Sequence, residues 1–313
     1  MILLALVNVY FSVIAFLHLF VFWLACDAVC AILRVIRRRD FGKYVAGGAA
    51  LLLCAVYLSA GWFFAHHVFE VGYELETGKV LPEGSLRVVL IADAHMGATL
   101  DGEDFDEEME RIEAAGPDIV VVTGDFVDDE SSVLDMLAAC RALGGLDTTY
   151  GVYFVFGNHD KGYFDDREFS EKELRDALES NDVVILEDEV NLIADSVYII
   201  GRQDRSVRDR AEIVALTDGL DRSKYMIVLD HQPNDYAAEA EAEVDLVLSG
   251  HTHGGHVFPA GQLGMLMGAN DALYGHEQRG GTDFIVTSGI SGWAIPFKMG
   301  AISEYVVIDI KTK

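Results

Sequence analysis

At 313 residues the chain is long enough for one large α/β domain plus an appendage, and its 51% apolar content supports a sizeable core. Its formal charge of −28 excludes a polyanion binder of the usual kind: no nucleic-acid partner is expected, because such a protein shows a basic face and this sequence has no basic run outside one short loop. Three of the four cysteines, Cys26, Cys30 and Cys54, fall in or beside apolar stretches. That leaves Cys140 alone in the remainder, where a single thiol at a helical apolar position reads as a small core residue.

In chain order, residues 1–26 carry no charged side chain, and neither do residues 44–65. Each stretch exceeds the roughly 20 residues a helix needs to cross a bilayer. Residues 1–65 are therefore expected to form two transmembrane helices joined by a basic loop at 34–43. A cleaved signal peptide would open with basic residues, which the first stretch lacks. The loop holds Arg34, Arg37, Arg38, Arg39 and Lys43, so the positive-inside rule places it in the cytoplasm and the domain after the second span outside. That domain, residues 66–313, holds 49 acidic and 18 basic residues, a formal charge of −31, which reads as a solvated surface.

His66 to Leu75 alternates as a strand of ambiguous phase, with no Pro/Gly/Ser-rich linker before it. Leu86 to Ala92 is a buried-strand run. Phe105, Met109 and Ile112 then recur at helical spacing until Gly116-Pro117 stops the helix. Ile119 to Thr123 is a strand, Ser131 to Leu143 a helix, and Val152 to Phe156 a third strand. Ser170 and Glu173 form a capping box opening a helix to about Glu179. Further strands are expected at Val183 to Leu186, Val197 to Ile200, Tyr225 to Leu229, Val244 to Leu248, Phe284 to Thr287 and Tyr305 to Ile310. Because some late strands lack an intervening helix, the pattern is α/β with a mixed sheet or two sheets.

Five short motifs come directly after these apolar runs: Asp93-Ala94-His95, Gly124-Asp125, Gly157-Asn158-His159-Asp160, Asp230-His231 and Gly250-His251-Thr252-His253. Parallel strands that end at one edge gather the loops beyond their carboxyl ends. The carboxylates, imidazoles and one amide oxygen would then converge as hard divalent cations require. In an extended segment residues two apart face the same way, which would let Asp93 with His95, and His251 with His253, each present a pair of ligands. Glycines at 124, 157 and 250 would let the backbone approach closely.

With these motifs in this order, residues 67–310 resemble the calcineurin-like metallophosphoesterase superfamily, in particular its membrane-anchored bacterial branch. The resemblance implies a double β-sandwich flanked by helices (α/β/β/α) with the metals at the strands' carboxyl ends. It implies that Asp93, His95, Asp125 and His253 hold one divalent metal and that Asp125, Asn158, His231 and His251 hold the second. His159 would stand over the phosphoryl group, protonating the leaving oxygen or stabilising its charge, and Asp160 would orient the imidazole or serve as a turn residue. Two such cations clamp phosphoryl oxygens and activate a bridging water for in-line attack. Mixed nitrogen and oxygen donors suit manganese, iron or zinc better than calcium. His256 stands where many relatives have Gln.

Substrate-facing groups are less specified. Arg202, Asp204 and Arg205 either reach an anionic substrate or form a surface ion cluster. Phe258, Leu263, Met265, Leu266 and Met267, with Trp293, Ile295, Pro296, Phe297 and Met299, form either a greasy wall for a lipid-bearing substrate or loops packed on the sheet. His276, His66 and His67 read as solvated or interfacial, and His18 as a helix-to-helix hydrogen bond. The expected activity is phosphodiester or pyrophosphate hydrolysis at the membrane, on a lipid-linked or envelope substrate or on a soluble phosphoester; a non-catalytic scaffold would not need the full ligand set.

Overall fold

The computed structural model describes residues 9–38, 44–163 and 167–313; Arg39 and Lys43 of the basic loop lie outside them. Helices α1 (Val9–Arg37) and α2 (Val45–His66) are both long and apolar enough to cross a membrane. Phe16, Leu17, Phe20, Leu52 and Leu53 on them are exposed, so the pair is not a buried core element. The two run antiparallel. Cys54 Sγ faces the Ala15 carbonyl oxygen at 3.8 Å, and the Trp23 indole lies where a Cβ on Gly47 would meet it at 3.0 Å. His18 departs from expectation: its ring nitrogen bonds the Ile14 carbonyl one turn back in its own helix. Its contact across to α2 is instead a ring contact with Tyr57, at 5.3 Å.

Only His67 separates α2 from β1 (Val68–Thr77), so the expected strand starts two residues late because the helix runs through His66. The first sheet has the order β1, β12 (Ser303–Thr312), β2 (Ser85–Ile91), β3 (Ile119–Thr123), β4 (Val152–Val155), β5 (Val184–Ile185). Strands β2 to β5 are mutually parallel and β12 runs antiparallel to β2. The second sheet has the order β10 (Gly275–Arg279), β11 (Thr282–Val286), β9 (Leu246–Ser249), β8 (Tyr225–Leu229), β7 (Val197–Gly201), β6 (Glu189–Ile193). Here β11, β9, β8 and β7 are parallel and the two edge strands antiparallel.

Because side chains alternate along a strand, each sheet has two apolar faces. Leu86, Val88, Leu90, Val121, Ile227, Leu229, Leu248 and Ile308 fill the space between the sheets. The outer face of the first sheet packs Val89, Ile91, Val120 and Val122 against α3 (Gly102–Ala114), α4 (Val133–Gly144) and α5 (Glu171–Ser180). Met226, Val228 and Val247 on the second sheet pack against α6 (Ile213–Thr217) and α7 (Tyr236–Glu241) through Ile213 and Tyr236. The layers are thus α/β/β/α, the expected architecture. Each fully buried aliphatic residue in them contributes roughly 1.5–3 kcal/mol. Ser170 and Glu173 form the expected reciprocal box on α5, and Asp101 and Asp104, which the motifs did not single out, form another on α3. Cys140 is a buried core residue, and burial pushes its thiol up to about 12.

Candidate metal centre

The parallel strands β2, β3 and β4 of one sheet and β8 and β9 of the other end at the same edge of the sandwich. The residues just beyond them are Asp93 and His95, Asp125, Asn158 and His159, His231, and His251 and His253. Alternation in extended backbone does not aim these side chains. Asp93, His95, Asp125, His251 and His253 all have left-handed backbone, with φ of 53°, 36°, 50°, 70° and 48°. A left-handed conformation costs a non-glycine residue roughly 1–2 kcal/mol, and such strain concentrates at functional sites. It is held by main-chain pairing: the amides of Asp93 and His95 donate to the carbonyls of Gly124 and Asp125, each at 3.0 Å.

Two clusters result, Asp93 with His95 and His253, and Asp125 with His231 and His251; within each, the donor atoms lie within 4.8 Å of one another. Asp125 stands between them, its Oδ2 3.8 Å from His95 Nε2 and 3.2 Å from His231 Nε2. Asn158 Oδ1 is 3.2 Å from His231 Nε2, on the side of the second cluster. A Cβ on Gly157 would lie 2.2 Å from Asp125 Oδ1, so only glycine allows that approach.

The electrostatics fit a cation. Asp93 and Asp125 are buried, and their ion-pair contacts among the described residues are to histidines. Burial pushes the Asp93 carboxyl up to about 6, against the pull of His231. Burial also works against Asp125, but the neighbouring His231 and His95 imidazoles outweigh it and hold Asp125 well below the usual carboxylate range. Nε2 of buried His95 and Nδ1 of buried His253 make no hydrogen bond. Crowded carboxylates and imidazole nitrogens without partners are the donor set a divalent ion would satisfy.

Other residues aim the donors. His231 Nδ1 lies 2.7 Å from the Thr123 carbonyl oxygen, which fixes that nitrogen as the N–H and turns Nε2 toward Asp125. Asp128, which the motifs did not single out, places Oδ2 3.3 Å from His95 Nδ1; burial would raise its carboxyl, but His95 holds it lowered. Asn158 Nδ2 donates to the Tyr163 hydroxyl at 2.8 Å, so its Oδ1 points to His231 and to Gln232 Nε2. Gln232 is held in turn by Asp204 at 2.8 Å.

At two residues the geometry separates alternatives that the sequence leaves open. Asp160 does not orient His159: its carboxylate accepts the amides of Gly157, Phe126 and Val127 at 2.7, 2.8 and 3.0 Å, which ties the β3 and β4 loops together. Arg202 does not face substrate but is buried among Asp230, Asp235 and Glu239. Lys298, unremarked in the sequence, is fully buried and donates to the carbonyls of Ser288, Gly289 and Ile302; burial pushes its amine down to about 7.

His159 lies outside both clusters. Its amide donates to Asp125 Oδ1 at 2.8 Å, and its ring packs 5.1 Å from His95 and from Tyr163 and 5.4 Å from Trp293. The ring lines a cavity of about 780 Å³ whose other walls include Asp128, Tyr163, His256, Val257, Trp293, Ile295 and Ile14 of α1. His256 sits in this wall with neither ring nitrogen bonded, and burial pushes it down to about 3.

A two-sheet sandwich carrying two clusters of metal-type donors at the ends of its parallel strands defines a protein built to hold a pair of divalent ions. The Calcineurin-like phosphoesterase family profile matches residues 86–255, and the chain belongs to that family. It is similar to a metallophosphoesterase of Campylobacter jejuni, 29% identical over 94% of this chain and 79% of that protein. A metallophosphoesterase of Aquifex aeolicus is 33% identical over 77% of this chain and 91% of its own length. A transmembrane protein with a metallophosphoesterase domain from Danio rerio is 29% identical over 88% of this chain, which spans 66% of that relative. The chain is a metal-dependent phosphoester hydrolase, and its two apolar helices go with membrane association.

Proposed function

We propose that residues 1–65 anchor the chain as a two-pass hairpin and that residues 66–313 are an extracytoplasmic hydrolase of a phosphodiester or pyrophosphate bond in a lipid-linked substrate. The observation that carries this reading is the cavity over His159. One wall carries His159 and Asp128, and another is the apolar side of the first span at Ile14. A soluble monoester would gain nothing from such a wall, whereas an acyl or prenyl chain would bury apolar surface there. The arginines at 34, 37 and 38 favour a cytoplasmic loop and hence an outer domain.

Asp93, His95, Asp125 and His253 would hold one divalent ion, and Asp125, Asn158, His231 and His251 the other, with Asp125 shared. When bound, such a pair polarises the phosphoryl oxygens and activates a water. The chain's own residues supply the rest. Burial holds His159 below the usual histidine range, against Asp125, so at neutral pH it meets the phosphoryl group as a neutral N–H donor and stabilises charge on the departing oxygen. Tyr163 and Gln232 hold the Asn158 oxygen in place, and the Trp293 ring packs beside His95, His159 and His253.

The test is a manganese-supplemented comparison of the full chain in detergent on lipid pyrophosphates, phosphodiesters and water-soluble monoesters. Higher kcat/KM on the lipid-linked substrates is expected. Preference for a soluble monoester would leave the anchor as localisation alone and refute the lipid reading.

A further inference from the structure

The segment after the His251 and His253 loop is anomalous for so acidic a domain. From Val257 to Asn270 it carries no charged residue. Helix α8 (Ala260–Leu266) has no buried residue, and around it Phe258, Leu263, Leu266 and Met267 are exposed, the last two by 85% and 80%. The loop that faces it behaves differently. Ile295, Phe297 and Met299 are buried, with Phe297 against Phe11 of α1 at 5.0 Å between ring centroids.

The level of this segment along the spans is fixed by main-chain contacts. The Lys298 amide donates to the Gly61 carbonyl at 2.9 Å, and a Cβ on Gly61 would collide with Met299 Cγ at 2.7 Å. Val257 bridges to Met299, and the Phe258 amide donates to the Met299 carbonyl at 3.0 Å. Gly61 lies five residues before the end of α2 at His66, about 7.5 Å along the helix axis. Trp62 beside it is the kind of residue that sits at headgroup level. The start of the exposed apolar segment is thus level with the interior of a membrane span.

We infer that residues 258–267 insert into the outer bilayer leaflet as a third membrane contact, with α8 lying at the headgroup and acyl boundary. An apolar interfacial element buries roughly 5–10 Å deep, which matches the offset set by Gly61. The occupant is the lipid bilayer, because the patch is continuous with the two spans and carries no charge to recognise an acidic or basic protein. The insertion also reaches the site. Gly261 of α8 packs on Gly255, where a Cβ would approach Gly255 Cα to 2.3 Å, and Gly255 and Ala260 both line the His159 cavity. A lipid would therefore enter the cavity sideways from the leaflet. This inference rests on the membrane-anchored reading above.

The test uses the full chain in phosphatidylcholine–phosphatidylglycerol vesicles containing a phospholipid with a diazirine on its acyl chain, followed by illumination and peptide mapping. Label is expected on residues 258–267 as well as on α1 and α2. The double variant L266E/M267E should lose about tenfold of the label on that segment, as charges leave the acyl region, while α2 stays labelled. Its hydrolysis of bis(p-nitrophenyl) phosphate in detergent should stay within about twofold of wild type, as for surface substitutions. Label confined to α1 and α2 in the wild-type chain overturns the inference without recourse to any variant. Label on 258–267 without hydrolysis of any lipid-linked substrate supports insertion and refutes the lipid-substrate reading instead.

Discussion

Replacing Gly157 by Ala tests whether the position of Asp125 is what makes the centre work. The new Cβ would stand 2.2 Å from Asp125 Oδ1, 2.4 Å from its amide nitrogen and 2.9 Å from Cγ, whereas ordinary contact begins at 3.4 Å. The carboxylate must therefore move by about 1.2 Å, and it cannot yield freely because its Oδ1 also accepts the His159 amide at 2.8 Å. Constellations of this kind tolerate displacements of about 0.5 Å, and a misplacement near 1 Å costs on the order of 100-fold. Turnover of bis(p-nitrophenyl) phosphate with saturating manganese should fall by about that factor, with weakened metal retention on dialysis. Gly78→Ala, where a Cβ meets nothing within 4 Å, is the control and should behave as wild type. A Gly157→Ala enzyme with unchanged kcat and metal content would refute the view that Asp125 must sit where it does.

Asp125→Ala and His253→Ala should each lose bound metal by elemental analysis and lose more activity than the roughly 10–100-fold that removal of an outer-shell partner costs. His159→Ala should keep its metal, because His159 lies outside both clusters, while kcat falls about 10²–10³-fold, as for loss of a hydrogen-bond donor to the charge that develops; wild-type turnover would remove His159 from the chemistry. Glu187 gives a pH test. Burial would raise its carboxyl, but Lys161 and Arg175, at 3.1 and 2.6 Å, hold it lowered. A lowered folded-state value means stabilisation that is present above the unfolded value of about 4.3 and lost as pH falls through the folded one. Glu187→Gln should therefore cost about 0.5–1 kcal/mol at pH 7, and the difference should shrink below the unfolded value and vanish only below the lowered folded-state value in a urea titration; an equal difference at pH 7 and at that acid pH would contradict the assignment.

Legibility in the sequence tracks burial and local chemistry. Ile119–Thr123 and Tyr225–Leu229 are legible to the residue because both are fully buried, unbroken apolar runs. The capping box at Ser170 is legible because its signal is local. Strands β6 and β10 are not, because they are edge strands whose exposed positions, such as Glu189, Leu192, His276 and Gln278, break the apolar alternation. At the site, the donors are visible because they sit directly after strands. Their aiming is not: left-handed backbone at Asp93 or His253 leaves no mark on a composition pattern, and Asp128, Tyr163 and Gln232 meet their partners only through the fold. Asp160 and Arg202 show why the sequence leaves two readings open. A charged residue beside a motif reads as functional until its partners are seen, here three backbone amides in one case and three carboxylates in the other.

The central claim is a dinuclear centre shared through Asp125, and anomalous diffraction at the manganese edge from crystals of the full chain grown with manganese tests it most directly. Two peaks are predicted, one at Asp93, His95 and His253 and one at Asn158, His231 and His251, flanking Asp125. A single peak, or peaks away from these residues, would contradict it.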